Sequence, residues 1–448
     1  MEDTIVAIST STGVGAISII RLSGNDALNI ASKVFTKDLT KVDSHTIHYG
    51  FIKDKDEKID EVLVSVMKAP KTFTREDIVE INCHGGIATT NKVLEVLLEN
   101  GARLAEPGEF TKRAFLNGRI DLLEAEATMD LISSKAESAR KISMNTLTGE
   151  TSNLIRDLRS ELVKIISNIE VNIDYPEYED IEVLTNESIL PDIKEFKEKL
   201  EEIIKKSEDS KVIKEGIKVG IIGRPNVGKS SLLNSLLEEE KAIVTDIPGT
   251  TRDIVEGSLI VGGIPLNIID TAGIRRTEDT VEKIGVEKSL KIIDTSDLVI
   301  YILNNNEEIT EEEKELLEKT KNKKRIIVVN KIDLETKLDK KLLDNYIEIS
   351  VKENIGIDKI KEEIKRLFNI GEISPNDMTY LSNARSIALL KKSLNNINDA
   401  IDEINNNNPI DIVELSLKES WNNLGEVIGE TYTDELLDEL FSRFCLGK

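Results

Sequence analysis

Gly223-Arg-Pro-Asn-Val-Gly-Lys-Ser230 stands between a mostly apolar, strand-like run at 217–222 and a helix-forming stretch at 231–237. A G-x-x-x-x-G-K-[ST] pattern carries weight when strand, glycine loop and helix start occur together, as they do here. Loop N–H groups and the helix N-terminus then converge on phosphate oxygens, Lys229 reaches the β- and γ-phosphates, and the Ser230 hydroxyl ligates the Mg²⁺ that bridges them. The reading is a nucleoside triphosphate site built on Asn226, Val227, Gly228, Lys229, Ser230 and Ser231 within an α/β domain. A glycine turn of purely structural use would not require Lys229 and Ser230 where they stand.

Outward from this loop, three further elements follow in order. Asp270-Thr-Ala-Gly273 closes the apolar strand 266–269. An aspartate there holds Mg²⁺ through water, the Gly273 N–H meets the γ-phosphate, and Thr271 and Ala272 complete the segment. Asn330-Lys331-Ile-Asp333 caps the strand 325–329. The Asp333 carboxylate accepts hydrogen bonds from guanine N1–H and the exocyclic amine, whereas adenine has no donor on that edge and would leave a buried charge unpaired. The ligand expected is therefore GTP. Ser350-Val351-Lys352 occupies the place of the last base-contacting loop. Each short motif is common by chance; ordered and each at a strand end, they describe a GTPase module. The set resembles GTP-binding proteins of the translation-factor-related class, in which Gly249-Thr250-Thr251-Arg-Asp253 is the switch segment and Thr251 completes the Mg²⁺ shell; Thr245, Asp246, Ile247 and Pro248 lead into it.

Ras-like GTPases orient the attacking water with a glutamine directly after D-x-x-G, and this chain has Ile274 there. Another group must place the water and offset the developing charge. The Asn226 amide carbonyl, with carbonyls of Thr245 and Ile247 and the region of Thr250, suits a monovalent cation such as K⁺ beside the β/γ bridge. Asn226 equally suits a role in bracing the loop, and both readings stand at this point. For the water the acidic candidates are Glu278, Asp279, Glu282 and Glu287.

The remaining chain bounds the answer. Its 448 residues exceed one hydrophobic core, so about three domains are expected. With 39% apolar but only 4% aromatic residues, the cores should be aliphatic. No apolar run approaches the roughly 20 residues that cross a bilayer, and the start Met-Glu-Asp lacks a signal-peptide pattern, so a cytoplasmic protein with no membrane contact is expected. Cys83 and Cys445 lie far apart, and His45, His48 and His84 form no Cys/His cluster, which supports neither a disulfide framework nor a zinc site. A net charge of −24 argues against generalised affinity for nucleic acid. Residues 1–118 are nearly balanced, with 14 basic and 17 acidic side chains, so any polyanion contact is local.

Short β-like runs at 5–8, 16–22, 61–67 and 77–83 give residues 1–118 an α+β pattern. Gly13-Val-Gly-Ala lacks the third glycine of a dinucleotide loop and reads as a turn. Helical spacing takes over from Ile120, as in Leu158, Leu162, Ile165 and Ile169, and returns from Met378 to Leu440. A charged stretch at 194–215 precedes the α/β strands. The economical arrangement is an α+β domain (1–118), a helical domain split into 119–215 and 372–448, and an α/β GTPase domain (216–371) inserted between its halves.

Over essentially its full length the chain resembles the MnmE (TrmE) family of tRNA modification GTPases. The resemblance rests on Ile19-Ile-Arg-Leu-Ser-Gly24, Phe73-Thr-Arg-Glu-Asp77, His84-Gly-Gly86, Pro107-Gly-Glu-Phe110, Arg113-Ala-Phe-Leu-Asn117, the Asn226-bearing loop and the ending Cys445-Leu-Gly-Lys448, where the family usually has Cys-Ile-Gly-Lys. It implies a multidomain protein with a folate-binding-like α+β N-terminal domain, a discontinuous helical domain and an inserted Ras-like α/β domain. It also implies a K⁺-activated, dimeric GTPase that, with an MnmG (GidA) flavoprotein, adds a carboxymethylaminomethyl-type group to C5 of the wobble uridine (position 34) of certain tRNAs. Arg21, Glu80, Arg119 and Lys448 match residues that contact a 5-formyl-tetrahydrofolate-type one-carbon donor; the family often has Lys where Arg119 stands. Glu282 matches the family's water-orienting glutamate, and Cys445 is a catalytic candidate. The competing reading is a regulatory or ribosome-assembly GTPase without modification chemistry.

Overall fold

The computed structural model describes residues 3–11, 13–134, 136–174, 186–239, 255–269, 282–368 and 379–447. In its N-terminal part, period-two alternation turns one face of each strand inward. Strands β1 (Ile5–Ile8), β2 (Ile17–Ser23), β3 (Thr46–Asp54), β4 (Glu57–Met67), β5 (Ile78–His84) and β6 (Arg103–Leu104) form one sheet in the order β3-β4-β5-β2-β1-β6. All its pairs are antiparallel except β1 with β6. Helices α1 (Ala27–Val34) and α2 (Ile87–Glu99) bury Ile30, Val34, Val93, Val96 and Leu97 against Val64, Val66, Val79, Ile81 and Cys83. Glu80, Asn82 and His84 therefore face the other way. The strand at 46–54 escapes a sequence reading because Thr46 and His48 sit among its apolar positions.

On that other face, α3 (Glu109–Leu116) is held by ions. Arg113, 1% exposed, donates to the Asp3 carboxylate at 2.8 Å, to Glu76 at 3.1 Å and to Glu109 at 3.0 Å, while Arg103 bonds Asp3 at 2.6 Å and Glu109 at 2.6 Å. The hydrogen bond from Arg103 leads the causes that hold the Asp3 carboxyl below its ordinary value. Burial alone would raise Glu109, but bonds from Arg103, the Glu106 N–H and Arg113 outweigh it and the net shift is downward. Carboxylates with depressed folded-state values add stability above their unfolded values, near pH 4, and lose it as pH falls through the folded values. Arg113→Leu is expected to lower stability by about 3 kcal/mol at pH 7, since it strands buried carboxylates. It should also flatten the loss of melting temperature between about pH 5 and 3 that thermal scans of the wild type will show.

The chain divides into two compact units: Met1–Met129, Leu147–Val171 and Glu414–Lys448 make one, and Asp130–Thr146 with Asn172–Val413 the other. The first unit completes the α+β domain with α4 (Leu122–Ser133) and with helices from both ends of the helical region, α6 (Glu150–Asp174) and Ile410–Ile428. Leu158, Leu162, Ile165 and Ile169 of α6 are buried, as are Leu417, Leu424 and Val427. Arg159 stacks 4.0 Å from the Trp421 ring and pairs with Glu430, so the helical domain is discontinuous in sequence. The last helix, Asp434–Ser442, packs Leu437 and Phe441 against Ala114, Phe115 and Leu122.

The second unit begins with α5 (Glu137–Leu147) and α7 (Asn186–Glu215), the latter packed on the helix Ala384–Asn405. The charged stretch 194–215, within the segment assigned to the helical domain, is the body of a 30-residue helix. Glu195–Lys199, Glu202–Lys206 and Lys211–Glu215 pair one turn apart on its outer side, while Phe196, Leu200, Ile203 and Ile204 are buried.

A second sheet follows: β7 (Ile217–Ile222), β8 (Val255–Val261), β9 (Ile264–Ile269), β10 (Leu298–Asn304), β11 (Lys324–Asn330) and β12 (Tyr346–Glu348), in the order β12-β11-β10-β7-β9-β8. Every pair is parallel except β8 with β9. Near-continuous apolar strands are what a sheet covered on both faces requires. Alternate residues oblige: Val219, Ile221, Ile300 and Val328 pack with α8 (Lys229–Glu239) and the helix Ile357–Leu367, and Val299, Tyr301, Leu303 and Val329 with helices Glu282–Thr295 and Glu311–Lys319. The basic run Lys323, Lys324 and Arg325 serves this layering. Lys323 Nζ bonds the Asp294 carbonyl at 3.0 Å, Lys324 Nζ that of Leu367 at 2.9 Å, and Arg325 Nη1 that of Leu317 at 2.5 Å. Three successive cations thereby meet the negative ends of three different helices.

Candidate functional site: four loops at the carboxyl ends of the parallel strands

Parallel α/β sheets bind ligands beyond the carboxyl ends of their strands, where the strand order reverses. Here β7 lies between β10 and β9, and the loop after it starts against β10: a Cβ on Gly223 would fall 2.4 Å from the Ile302 carbonyl oxygen. Glycine is required once more by geometry. Gly228 has φ 101°, and a Cβ there would fall 2.3 Å from Asn330 Nδ2. Between the two, Asn226 takes the left-handed conformation at φ 64°, which asparagine tolerates better than most residues. Lys229 opens α8 and folds its ammonium back over the loop, 2.7 Å from the Gly223 carbonyl and 2.6 Å from that of Arg224; burial holds its pKa below the ordinary lysine value. Ser230 and Ser231 are exposed in the first turn of α8, where helix N–H groups face outward, and Val227 is buried beneath the loop.

Asn330, 3% exposed, ties this loop to the two base-recognition segments. Its Nδ2 donates to the Val227 carbonyl at 2.8 Å, and its Oδ1 accepts from the N–H of Lys331 at 2.8 Å and of Val351 at 3.2 Å. The loop after β10 joins through the Asn305 N–H, 2.9 Å from the Asn330 carbonyl. Sequence reasoning places Asn330 at the base; that it also fastens three loops is a tertiary fact with no local signal. Asn330→Ala leaves a carbonyl and two N–H groups without this partner and is expected to cost about 2 kcal/mol in unfolding of the nucleotide-free protein, read by calorimetry.

The base edge is preset. Buried Ser350 donates from Oγ to Asp333 Oδ1 at 2.7 Å, and the Glu353 N–H bonds Ser350 Oγ at 3.2 Å. That hydroxyl leads the causes that keep the Asp333 carboxyl below its ordinary value, so it is an ionised, acceptor-only group at neutral pH. Lys331, at φ 65°, and exposed Lys352 flank it. The arrangement offers phosphate donors at one end and a fixed carboxylate at the other, the two demands of a guanine nucleotide.

In the other unit, Arg21 and Glu80 face each other across β2 and β5 and pair at 2.7 Å. Arg21 lies 5.7 Å from the Phe110 ring centroid, and its Nη1 donates to the Gly447 carbonyl at 3.3 Å, as does Ser9 Oγ. The C-terminal tail is therefore seated beside this pair. The fit is close, since a Cβ on Gly447 would lie 2.5 Å from the Ile8 carbonyl oxygen. Cys445 is exposed, with its carbonyl 3.4 Å from the Gly108 N–H. Arg119 holds its guanidinium 4.9 Å from the Phe73 ring centroid, in a cavity of about 400 Å³ shared with Met67, Lys71 and Thr72. Sequence spacing says nothing of the tail's return to β1 and β2.

Thr245, Asp246, Ile247, Pro248, Gly249, Thr250, Thr251, Asp270, Thr271, Ala272, Gly273 and Lys448 lie outside the described residues, as do Glu278 and Asp279. Glu282 is described only as the first residue of the helix Glu282–Thr295. Among the described residues no cluster of three or more His, Cys, Asp and Glu could hold a metal ion, and no helix is long and apolar enough to cross a membrane.

Two family models match, one for the N-terminus of the GTP-binding protein TrmE over residues 4–119 and one for the MnmE helical domain over 122–445. A tRNA modification GTPase MnmE of Enterococcus faecalis is 53% identical over all of this chain and 98% of its own length. Another of that name, from Bacillus licheniformis, is 52% identical over the full length of both. Among solved structures, the FeoB G-domain from Methanococcus jannaschii is 24% identical over 34% of this chain and 98% of its own, with a TM-score of 0.25.

Proposed function

The chain belongs to the MnmE family of tRNA modification GTPases, and from that premise we propose that it hydrolyses GTP in a cycle serving modification of C5 of the wobble uridine in certain tRNAs. The observation that carries this reading is the Asn330 knot, which sets the phosphate loop and the Asp333–Ser350 base edge in one frame. Lys229 and the loop N–H groups receive the phosphates; Ser230 and Thr251 are the residues to hold Mg²⁺, and Asn226, Thr245, Ile247 and Thr250 those to hold K⁺. Such a cation supplies positive charge where negative charge develops during hydrolysis. Glu282 orients the attacking water.

The same reading assigns the N-terminal domain (1–118) a one-carbon carrier of the 5-formyl-tetrahydrofolate type, contacted by Arg21, Glu80, Arg119 and Lys448, with Cys445 as a catalytic candidate. The pairing of Arg21 with Glu80 beside the tail supports it. Dimerisation is supported by Ile17, Ile47, Tyr49 and Leu63, exposed on the same sheet face as Glu80, away from α1 and α2. An MnmG-type flavoprotein is the proposed partner in adding a carboxymethylaminomethyl-type group, the cytoplasm is the proposed compartment, and the GTPase domain (216–371) is proposed as an insertion between helical segments 119–215 and 372–448.

Mass analysis of wobble uridines from cells lacking the chain tests the function. Wild type should restore the modified nucleoside, and Glu282→Ala should fail to do so while binding GTP with nearly unchanged affinity. Wobble nucleosides unaffected by deletion, together with co-sedimentation with ribosomal subunits, would replace this reading with an assembly GTPase.

A further inference from the structure

The hairpin β8–β9 joins the two segments that the proposed GTPase reading assigns to sensing the γ-phosphate. β8 starts at Val255, two residues after Asp253, and β9 ends at Ile269, directly before Asp270. At the opposite end the strands turn through Gly262 (φ 59°) and Gly263 (φ 85°), the two successive left-handed residues of a tight hairpin. Among the described residues β8 is a sheet edge, bonded to β9 alone. Its ladder slips in register between Val255 and Ser258, towards the nucleotide, and runs regularly from Ser258 to Val261 at the turn. An edge strand broken by a bulge is the part of this sheet that shifts at least cost, and its regular portion passes that shift to the turn.

The turn is gripped by α5, which belongs to the same compact unit. Ser138 Oγ donates to the Gly263 carbonyl at 2.5 Å. One helical turn on, Ile142 is fully buried in the apolar cluster that also holds Leu259, Val261, Ile264 and Leu266 of the hairpin, and among the described residues it is the one member of that cluster from upstream of Val212. Ser143 of α5 lies with its Oγ 3.5 Å from that of Ser134, which bonds the Asp130 carbonyl at 2.6 Å, and Asp130 pairs with Lys214 at 2.5 Å near the end of α7. From the α7 side, the Asn267 amide bonds the Glu215 carbonyl at 2.8 Å. Neither Ser138 nor Ile142 is among the residues assigned to nucleotide, metal or folate.

We propose that α5 reads the nucleotide state through the turn of this hairpin, with Ser138 and Ile142 as the coupling contacts. The proposal rests on the GTPase reading and deepens it by naming how the state of the site leaves the sheet. Segments flanking a γ-phosphate are ordered by it and released on hydrolysis, so the two ends of the hairpin are pulled differently by GTP and GDP. Through Ser138 and Ile142 that difference becomes a difference in the seating of α5, which leads in sequence into α6. Coupling is reciprocal: if α5 senses the nucleotide, loosening α5 alters the preference between nucleotides.

The test uses the full chain with Ser138→Ala, Ile142→Val and the double substitution. Calorimetry with GDP and with a non-hydrolysable GTP analogue should show the ratio of the two dissociation constants changing by about fivefold or more in the double variant. Hydrogen exchange of amides 137–147 should differ between the two nucleotide states in the wild type, with the difference lost in the double variant. A ratio that stays constant while both affinities or the melting temperature fall would overturn the proposal, leaving α5 a brace. So would identical exchange at 137–147 in the two states while amides 223–236 are protected by both nucleotides. If no guanine nucleotide protects 223–236, the GTPase reading itself fails and takes this proposal with it.

Discussion

Asp333→Asn is expected to lower GTP affinity about ten-thousandfold and to create affinity for xanthosine triphosphate, because a site built to pair a base edge rejects one whose donors and acceptors no longer match. The Ser350 hydroxyl holds Asp333 Oδ1 at 2.7 Å and favours its charged form, so the carboxylate is both oriented and acceptor-only. Guanine meets it with two donors, N1–H and the exocyclic amine. An asparagine keeps one acceptor but sets its own NH₂ against that amine, and two donors without acceptors are buried together. Xanthine carries a carbonyl in place of the amine and restores the match. Isothermal titration with both triphosphates decides the matter, and undiminished GTP binding by Asp333→Asn would mean that the base is read elsewhere.

Asn226→Gly is expected to abolish the dependence of turnover on K⁺, while the wild type should turn over GTP about a hundredfold faster in KCl than in NaCl, the scale of one well-placed electrostatic stabiliser. Glycine is the informative replacement. Asn226 sits at φ 64°, where alanine would add about 1 kcal/mol of backbone strain and glycine adds none, so the change removes the amide and little else. GTP affinity should then stay within a few-fold of wild type, because the Lys229 and Asn330 contacts of the loop do not involve the Asn226 side chain. Phosphate release measured in the two salts gives the answer. Equal wild-type rates in KCl and NaCl would leave Asn226 as a loop-bracing residue.

The α/β domain was legible because its signals are local. Apolar runs long enough for buried strands, a glycine loop that only one backbone path satisfies, and motifs at strand ends need no knowledge of distant residues, and β7, β9 and β11 lie within two residues of where the pattern puts them. Helix and strand were harder to separate where charge dominates. The stretch 194–215 is dense in charge, yet its charges pair one turn apart and its apolar residues keep helical spacing, so it continues α7. Strand β3 was hidden for the complementary reason, an exposed face carrying Ile47 and Tyr49 beside polar neighbours.

Residue chemistry along the chain was enough to determine the guanine-nucleotide motifs, their order and the family to which the chain belongs, since each motif encodes the shape and charge of a small ligand within a few neighbouring residues. What brings Gly447 to Arg21, Asn330 to Val227 or Ser138 to Gly263 is packing between segments 426, 103 and 125 residues apart. Contacts of that kind are selected by the burial of whole faces and the closing of long loops, which no short window of sequence contains.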